Sequence, residues 1–100
     1  MKMPEWSFIT NHALVLATLA RYPHRTAREI GDAVGITERA THKIINDLEA
    51  AGYVTKVKVG RRNEYLIHPD APLRGKIRGD VAVRELLVML GWKPTKSRSR

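Results

Sequence analysis

Residues 26–52 hold two helix starts and two helix stops in close succession, and no other part of the chain constrains the fold as strongly. Thr26-Ala27-Arg28-Glu29 is a capping box: the Thr26 hydroxyl accepts from an early helical N–H while Glu29 reaches back to the N–H of Thr26. The helix it opens directs Ala27, Ile30, Ala33 and Val34 inward and stops at Gly35, which is free to take the left-handed conformation of a helix end. After Ile36, Thr37 is a second N-cap, with Glu38 in the first turn where a carboxylate favours the helix dipole. The helix that follows runs to about Ala51. Its inward stripe is Ala40, Ile44, Leu48 and Ala51, with Ile45 beside it, and Gly52 stops it.

The flanking segments complete the pattern. Residues 1–10 read as irregular or as a short extended lead-in, with Trp6, Phe8 and Ile9 as candidates to pack on the domain, since bulky apolar groups gain by leaving water. Thr10 or Asn11 caps a first helix that is apolar around most of its circumference and ends before Pro23. Beyond Gly52 the period changes to two. Tyr53 to Val59 alternates and is rich in β-branched residues, Gly60-Arg61-Arg62-Asn63 has turn chemistry, and Glu64 to Ile67 reads as the returning strand. His68 to Pro72 breaks the pattern with two prolines. A last helix is expected from Val81 to Leu90, capped by Asp80, with Val83, Leu86, Leu87 and Leu90 as an apolar band that Val88 and Met89 widen. The expected organisation is therefore a lead-in (1–10), a core domain (11–68), a C-terminal helical segment (69–91) and a basic disordered tail (92–100).

Composition limits what such a chain does. One hundred residues suit one domain with a modest core. A net charge of +8 and a pI near 10.3 point to a polyanionic partner. With no cysteine, disulfides and thiolate metal sites are excluded. His12, His24, His42 and His68 are dispersed without metal-ligand spacing, so no metal or other cofactor is expected. No apolar run reaches the ~20 residues needed to span a bilayer, and the first residues lack a signal-peptide layout, so a cytoplasmic protein with no membrane partner is expected.

The two central helices have the proportions of a helix-turn-helix, in which the second helix enters the major groove. Its polar side is read here as Arg39, Thr41, His42, Lys43 and Asn46. Arg39, His42, Lys43 and Asn46 are the candidate base readers: Arg and Lys donate to guanine O6 and N7, and Asn pairs with adenine N6 and N7. Any exposed helix face can carry such residues. What favours recognition is its place in the helix pair and the basic hairpin after it. Lys56, Lys58, Arg61, Arg62 and Asn63 form the candidate wing contacts, with the Arg pair at the tip suited to a minor groove or to phosphates. Edge protection against strand pairing is the alternative for Lys56 and Lys58. Arg25, Thr26, Arg28, Thr37 and Thr41 are candidate backbone contacts near two helix starts, where free N–H groups favour anions.

The stretch from Thr26 to Thr37, the helix through Leu48, the sequence Glu49-Ala50-Ala51-Gly52-Tyr53-Val54 and the Gly60 to Asn63 turn together resemble the winged helix-turn-helix regulators of the MarR-like and ArsR-like groups, over roughly residues 12–68. The resemblance implies an α+β, mostly α fold: a three-helix core, a β-hairpin wing and an additional C-terminal helix. It also implies a homodimer on double-stranded DNA, with helix three reading the major groove and the wing on minor groove or backbone. Leu86, Leu87 and Leu90 are then the expected dimer contacts, and packing of that helix on its own domain is the alternative.

Two departures bear on regulation. The chain is short for the extended dimer helices and ligand pocket of MarR-like proteins, and it lacks the cysteine often used by ArsR-like metal sensors. The sequence therefore specifies no small-molecule effector. His42 reads as a solvent- or DNA-facing side chain, with pH sensing as the alternative. There is no phosphate-cradling glycine loop, H-E-x-x-H or G-x-S-x-G motif, and no cluster of acids to hold a nuclease metal, so no catalytic residue is assigned. A winged-helix module for RNA or a protein partner is the competing class, because fold alone does not fix function.

Overall fold

Each of the three expected helix starts in the first half of the chain is capped by a threonine. The computed structural model describes residues 6–74 and 81–94. The Thr10 hydroxyl accepts from the Ala13 N–H at 3.2 Å and opens α1 (Asn11–Arg21). Thr26 and Glu29 form both bonds of the capping box, at 3.1 and 2.9 Å, at the head of α2 (Ala27–Val34). Thr37 accepts from Ala40 N–H at 3.0 Å and opens α3 (Glu38–Ala50). Gly35 closes α2 at φ 92°, a conformation that costs a residue with a Cβ.

The helices pack α1 on α2, α1 on α3 and α2 on α3. Val15, Leu19, Ile30 and Ile45 are buried at their centre. Two inward assignments change. Ala33 is exposed, and Gly31 is the buried small residue of α2 instead. On α3 the buried stripe is Thr41, Ile44, Ile45 and Leu48, at the i, i+3, i+4, i+7 positions of one helix face. Gly31 and Thr41 meet where α2 crosses α3. A Cβ at Gly31 would lie 2.6 Å from the Thr41 hydroxyl and 2.9 Å from the Ile36 carbonyl oxygen.

Strands β1 (Val54–Val59) and β2 (Arg62–Ile67) pair antiparallel from Val54↔Ile67 to Val59↔Arg62. The connection is thus two residues, Gly60 and Arg61, tighter than the four-residue turn expected, and Arg62 and Asn63 belong to β2. Gly60 at φ 64° supplies the positive dihedral that favoured two-residue hairpins require. Only the root of the hairpin joins the core. Val54 and Tyr65 are buried, and burial pushes the Tyr65 phenol above its ordinary pKa.

Tyr53 ties the second half of the chain to the first. Its hydroxyl donates to the Pro72 carbonyl at 2.6 Å and accepts from the Arg74 N–H at 2.8 Å. The chain returns through Val81, whose carbonyl accepts from the Leu73 N–H at 2.7 Å, into α4 (Val83–Met89). This helix is shorter than Val81–Leu90. Its N-cap is Ala82, with no side-chain cap bond, and Asp80, the expected cap, lies outside the described residues. Arg84 reaches back to Asp70 at 2.9 Å, and α4 packs on α1 through the buried Val83 and Leu87.

Three helices, a two-stranded antiparallel wing and a C-terminal helix make a winged helix, mostly α with a small sheet. Trp6 and Phe8 depart from expectation. They are 64% and 88% exposed and pack edge-to-face on each other, with ring centroids 4.9 Å apart. Trp92 also departs from its assignment to a disordered tail: it packs against the core and its N–H donates to the Leu87 carbonyl at 2.9 Å. The rest of that tail from residue 95, and the first five residues of the lead-in, lie outside the described residues.

Gly31→Ala tests the helix crossing. Alanine gains about 1 kcal/mol of helix propensity over glycine. Overpacking against a buried hydroxyl and a fixed carbonyl costs about 1–3 kcal/mol, so a net loss is expected. Urea unfolding should show a lower midpoint with an unchanged slope.

Candidate nucleic-acid interface

The outward face of α3 follows from its inward one. Thr41, Ile44, Ile45 and Leu48 anchor the helix. Arg39, Lys43 and Asn46 repeat the same spacing two residues out of step, about 200° around the helix, and therefore point away from the core. All three are exposed, as is His42 on the flank of that stripe. A polar ridge of one guanidinium, one ammonium and one amide thus projects from a helix held on its opposite side by apolar packing.

Thr41 is not part of that ridge. Its side chain is fully buried and its hydroxyl donates to the Thr37 carbonyl at 2.8 Å. The assignment of Thr41 to backbone contact is therefore corrected. Its place at i−3 and i−4 to Ile44 and Ile45 puts it in the core stripe, a signal already legible in the spacing. Thr26 and Thr37 are exposed, but each hydroxyl accepts a bond from its own helix, so their first role is capping. Arg28 is exposed. Arg25 is half-buried, its guanidinium 3.8 Å from the centre of the Tyr22 ring. That cation–π contact leaves it less free than an open surface arginine.

Strand register divides the wing charges between two faces. Lys56, Lys58 and Asn63 lie on the face shared with Val54 and Tyr65, while Arg62 lies on the other with Glu64. Arg61 occupies the turn itself. Val57, Val59 and Leu66 share the Arg62 face and are 42%, 42% and 56% exposed. The wing is therefore basic at its tip, with an apolar strip along one face.

Carboxylates interleave with these cations. Asp47 Oδ2 lies 2.9 Å from His12 Nε2 and 3.5 Å from Lys43 Nζ. The His12 hydrogen bond, helped by Lys43, holds the Asp47 carboxyl below the ordinary carboxylate range. Glu64 Oε2 lies 3.0 Å from His24 Nδ1 and 3.7 Å from Arg62. Glu38 is 3.7 Å from His42, one turn along α3. The Glu38–His42 and Lys43–Asp47 pairs are i,i+4 and could be read from spacing. The contacts of His12 and His24 span distant segments and could not.

On α4, Leu87 is completely buried in the chain's own core, which corrects its assignment to a dimer contact. Leu86 and Leu90 are half-buried and pack against the same core. The apolar side chains that α4 presents to solvent are Val88 and Met89, 47% and 68% exposed. Among the described residues no group of three His, Cys, Asp or Glu side chains is placed to hold a metal ion, and no helix is long and apolar enough to cross a membrane.

A helix-turn-helix with a polar outer ridge and a basic wing defines a winged helix of the DNA-binding type. The sequence profile of the MarR family matches residues 8–62, which take in α1, α2, α3, β1 and the turn of the wing. The chain belongs to the MarR family, whose members are DNA-binding regulators of transcription. Comparison with curated proteins finds no match.

The capping role of Thr26 is open to a direct check. Thr26→Ala should lower unfolding free energy by about 1 kcal/mol, and Thr26→Ser should restore most of it. Thermal unfolding of the three proteins side by side reads this without any nucleic acid present.

Proposed function

We propose that the protein is a small transcriptional regulator that binds double-stranded DNA sequence-specifically, with α3 in the major groove and the wing on the minor groove or backbone. The observation that carries this reading is the outward ridge of Arg39, Lys43 and Asn46 on a helix anchored by its opposite face. Arg39 and Lys43 suit guanine, and Asn46 suits adenine. Arg61, at the turn, and Arg62 supply the wing tip. Lys56 and Lys58 add charge toward phosphates. A formal charge of +8 supplies the sequence-independent part of the affinity.

The proposed active form is a homodimer, as the resemblance implies. Val88 and Met89, with the half-buried Leu86 and Leu90, are the α4 contacts offered for it. Two copies would then place their α3 helices about 34–36 Å apart, one turn of DNA. The proposed location is the cytoplasm. No catalytic role is proposed.

A protein partner is the second reading. The exposed strip of Val57, Val59 and Leu66 favours it, because apolar side chains on a wing contribute little to phosphate contacts.

Selection of bound sequences from a random duplex pool separates these readings and reports symmetry at the same time. Enrichment of a palindromic site is expected, and an unenriched pool would sink the sequence-specific reading. On the selected site, Asn46→Ala should relax preference at one base position by about 1–3 kcal/mol. Arg62→Ala should weaken binding to all sequences alike and reduce the salt slope by about one. Sedimentation at micromolar concentration should give a dimer, and Met89→Lys should shift it to monomer without unfolding the chain.

A further inference from the structure

We propose that protons gate the DNA affinity of this chain through two triads, His12–Asp47–Lys43 and His24–Glu64–Arg62, in which a scaffold histidine competes for the carboxylate that otherwise holds an interface cation. This deepens the DNA-binding reading and rests on it.

The two triads are built alike on different elements. In the first, His12 stands on α1, Asp47 and Lys43 on α3, and the Asp47 carboxylate lies 2.9 Å from His12 and 3.5 Å from Lys43. In the second, His24 stands in the α1–α2 connection, Glu64 and Arg62 on β2, and Glu64 lies 3.0 Å from His24 and 3.7 Å from Arg62. In each, the cation belongs to the surface proposed to meet DNA and the histidine does not. The other charges near these groups are Arg74, which lines the same cleft as His12 and Asp47, and Arg25, next to His24 and stacked on Tyr22.

The protonation step follows from which atoms face each other. A carboxylate only accepts, so the facing ring nitrogens, Nε2 of His12 and Nδ1 of His24, carry the donated hydrogens. The incoming proton therefore binds Nδ1 of His12 and Nε2 of His24. Both histidine side chains are at least half exposed, at 50% and 66%, so water delivers it. With the histidine neutral, each triad has no net charge and its cation is answered by the carboxylate. With the histidine protonated, the triad carries one positive charge, the carboxylate is answered by imidazolium, and Lys43 or Arg62 is released toward phosphate. Separations of 3–4 Å lie well inside the Debye length of about 8 Å at physiological salt, so the exchange survives screening.

Fluorescence anisotropy of a labelled duplex, taken at several salt concentrations at about pH 5.5 and about pH 8, tests this across the histidine range. Log affinity against log salt should steepen at the lower pH by about 0.9 for each triad that gains a phosphate contact. Affinity should rise on the order of tenfold at low salt. His42, 3.7 Å from Glu38, is kept in every variant, so its own contribution is common to all of them. His12→Gln with His24→Gln should reduce the steepening to the part that His42 alone supplies, and Asp47→Asn should tighten binding at the higher pH by releasing Lys43. Circular dichroism at both pH values shows that the fold is retained. Equal slopes at the two pH values, or a double histidine variant that steepens as much as the parent chain, would overturn the gate alone. No duplex binding at either pH would overturn the DNA-binding reading together with it.

Discussion

The close crossing of α2 over α3 sets the pose of everything this protein presents outward. Gly31 contributes no side chain there, and the Thr41 hydroxyl fills the space, donating to the carbonyl of Thr37, the N-cap of α3. The contact is tight enough that a single carbon at position 31 meets both a buried hydroxyl and the Ile36 backbone. Interiors packed at such density do not yield continuously. The angle of α3, and with it the direction of Arg39, Lys43 and Asn46, is therefore fixed by a residue with no side chain and a polar residue with no exposure.

Tyr53 does for the wing what that crossing does for α3. Its N–H donates to the Leu48 carbonyl at the end of α3, and its carbonyl accepts from the His68 N–H where β2 ends. Its hydroxyl holds the Pro72–Arg74 segment that leads toward α4. One buried aromatic thus joins the end of α3, the base of both wing strands and the approach to the C-terminal helix. An unpaired hydroxyl there would cost as much as any lost hydrogen bond. With two backbone partners it becomes a brace. These bonds tie the wing root to the core, while the tip, beyond Val57, rests on its own two-strand pairing.

The candidate interface is less uniformly basic than the net charge implies. Glu38, Asp47 and Glu64 sit among its cations, each within reach of a histidine. Such pairs add little to stability at exposed positions. Their effect lies in the local field, because a carboxylate beside Lys43 or Arg62 subtracts from the attraction a phosphate feels. In the proposed role, a surface built this way would trade raw affinity for selectivity.

Most of the architecture was legible in the sequence by itself. The caps at Thr26 and Thr37, the stop at Gly35, the change from helical to alternating period after Gly52 and the glycine at the hairpin turn are local signals, and local hydrogen bonding and dihedral preference decide them. Three-dimensional packing decided the rest. Thr41 looked polar and outward by composition and is core by position. Gly31 replaced Ala33 because only the crossing with α3 shows which small residue must be smallest. Leu87 went to the chain's own core, because α4 folds back on α1. His12 met Asp47, and His24 met Glu64, across turns no sequence window spans. Short-range chemistry is written in neighbouring residues, whereas burial and long-range pairing depend on where separate elements come to rest against one another.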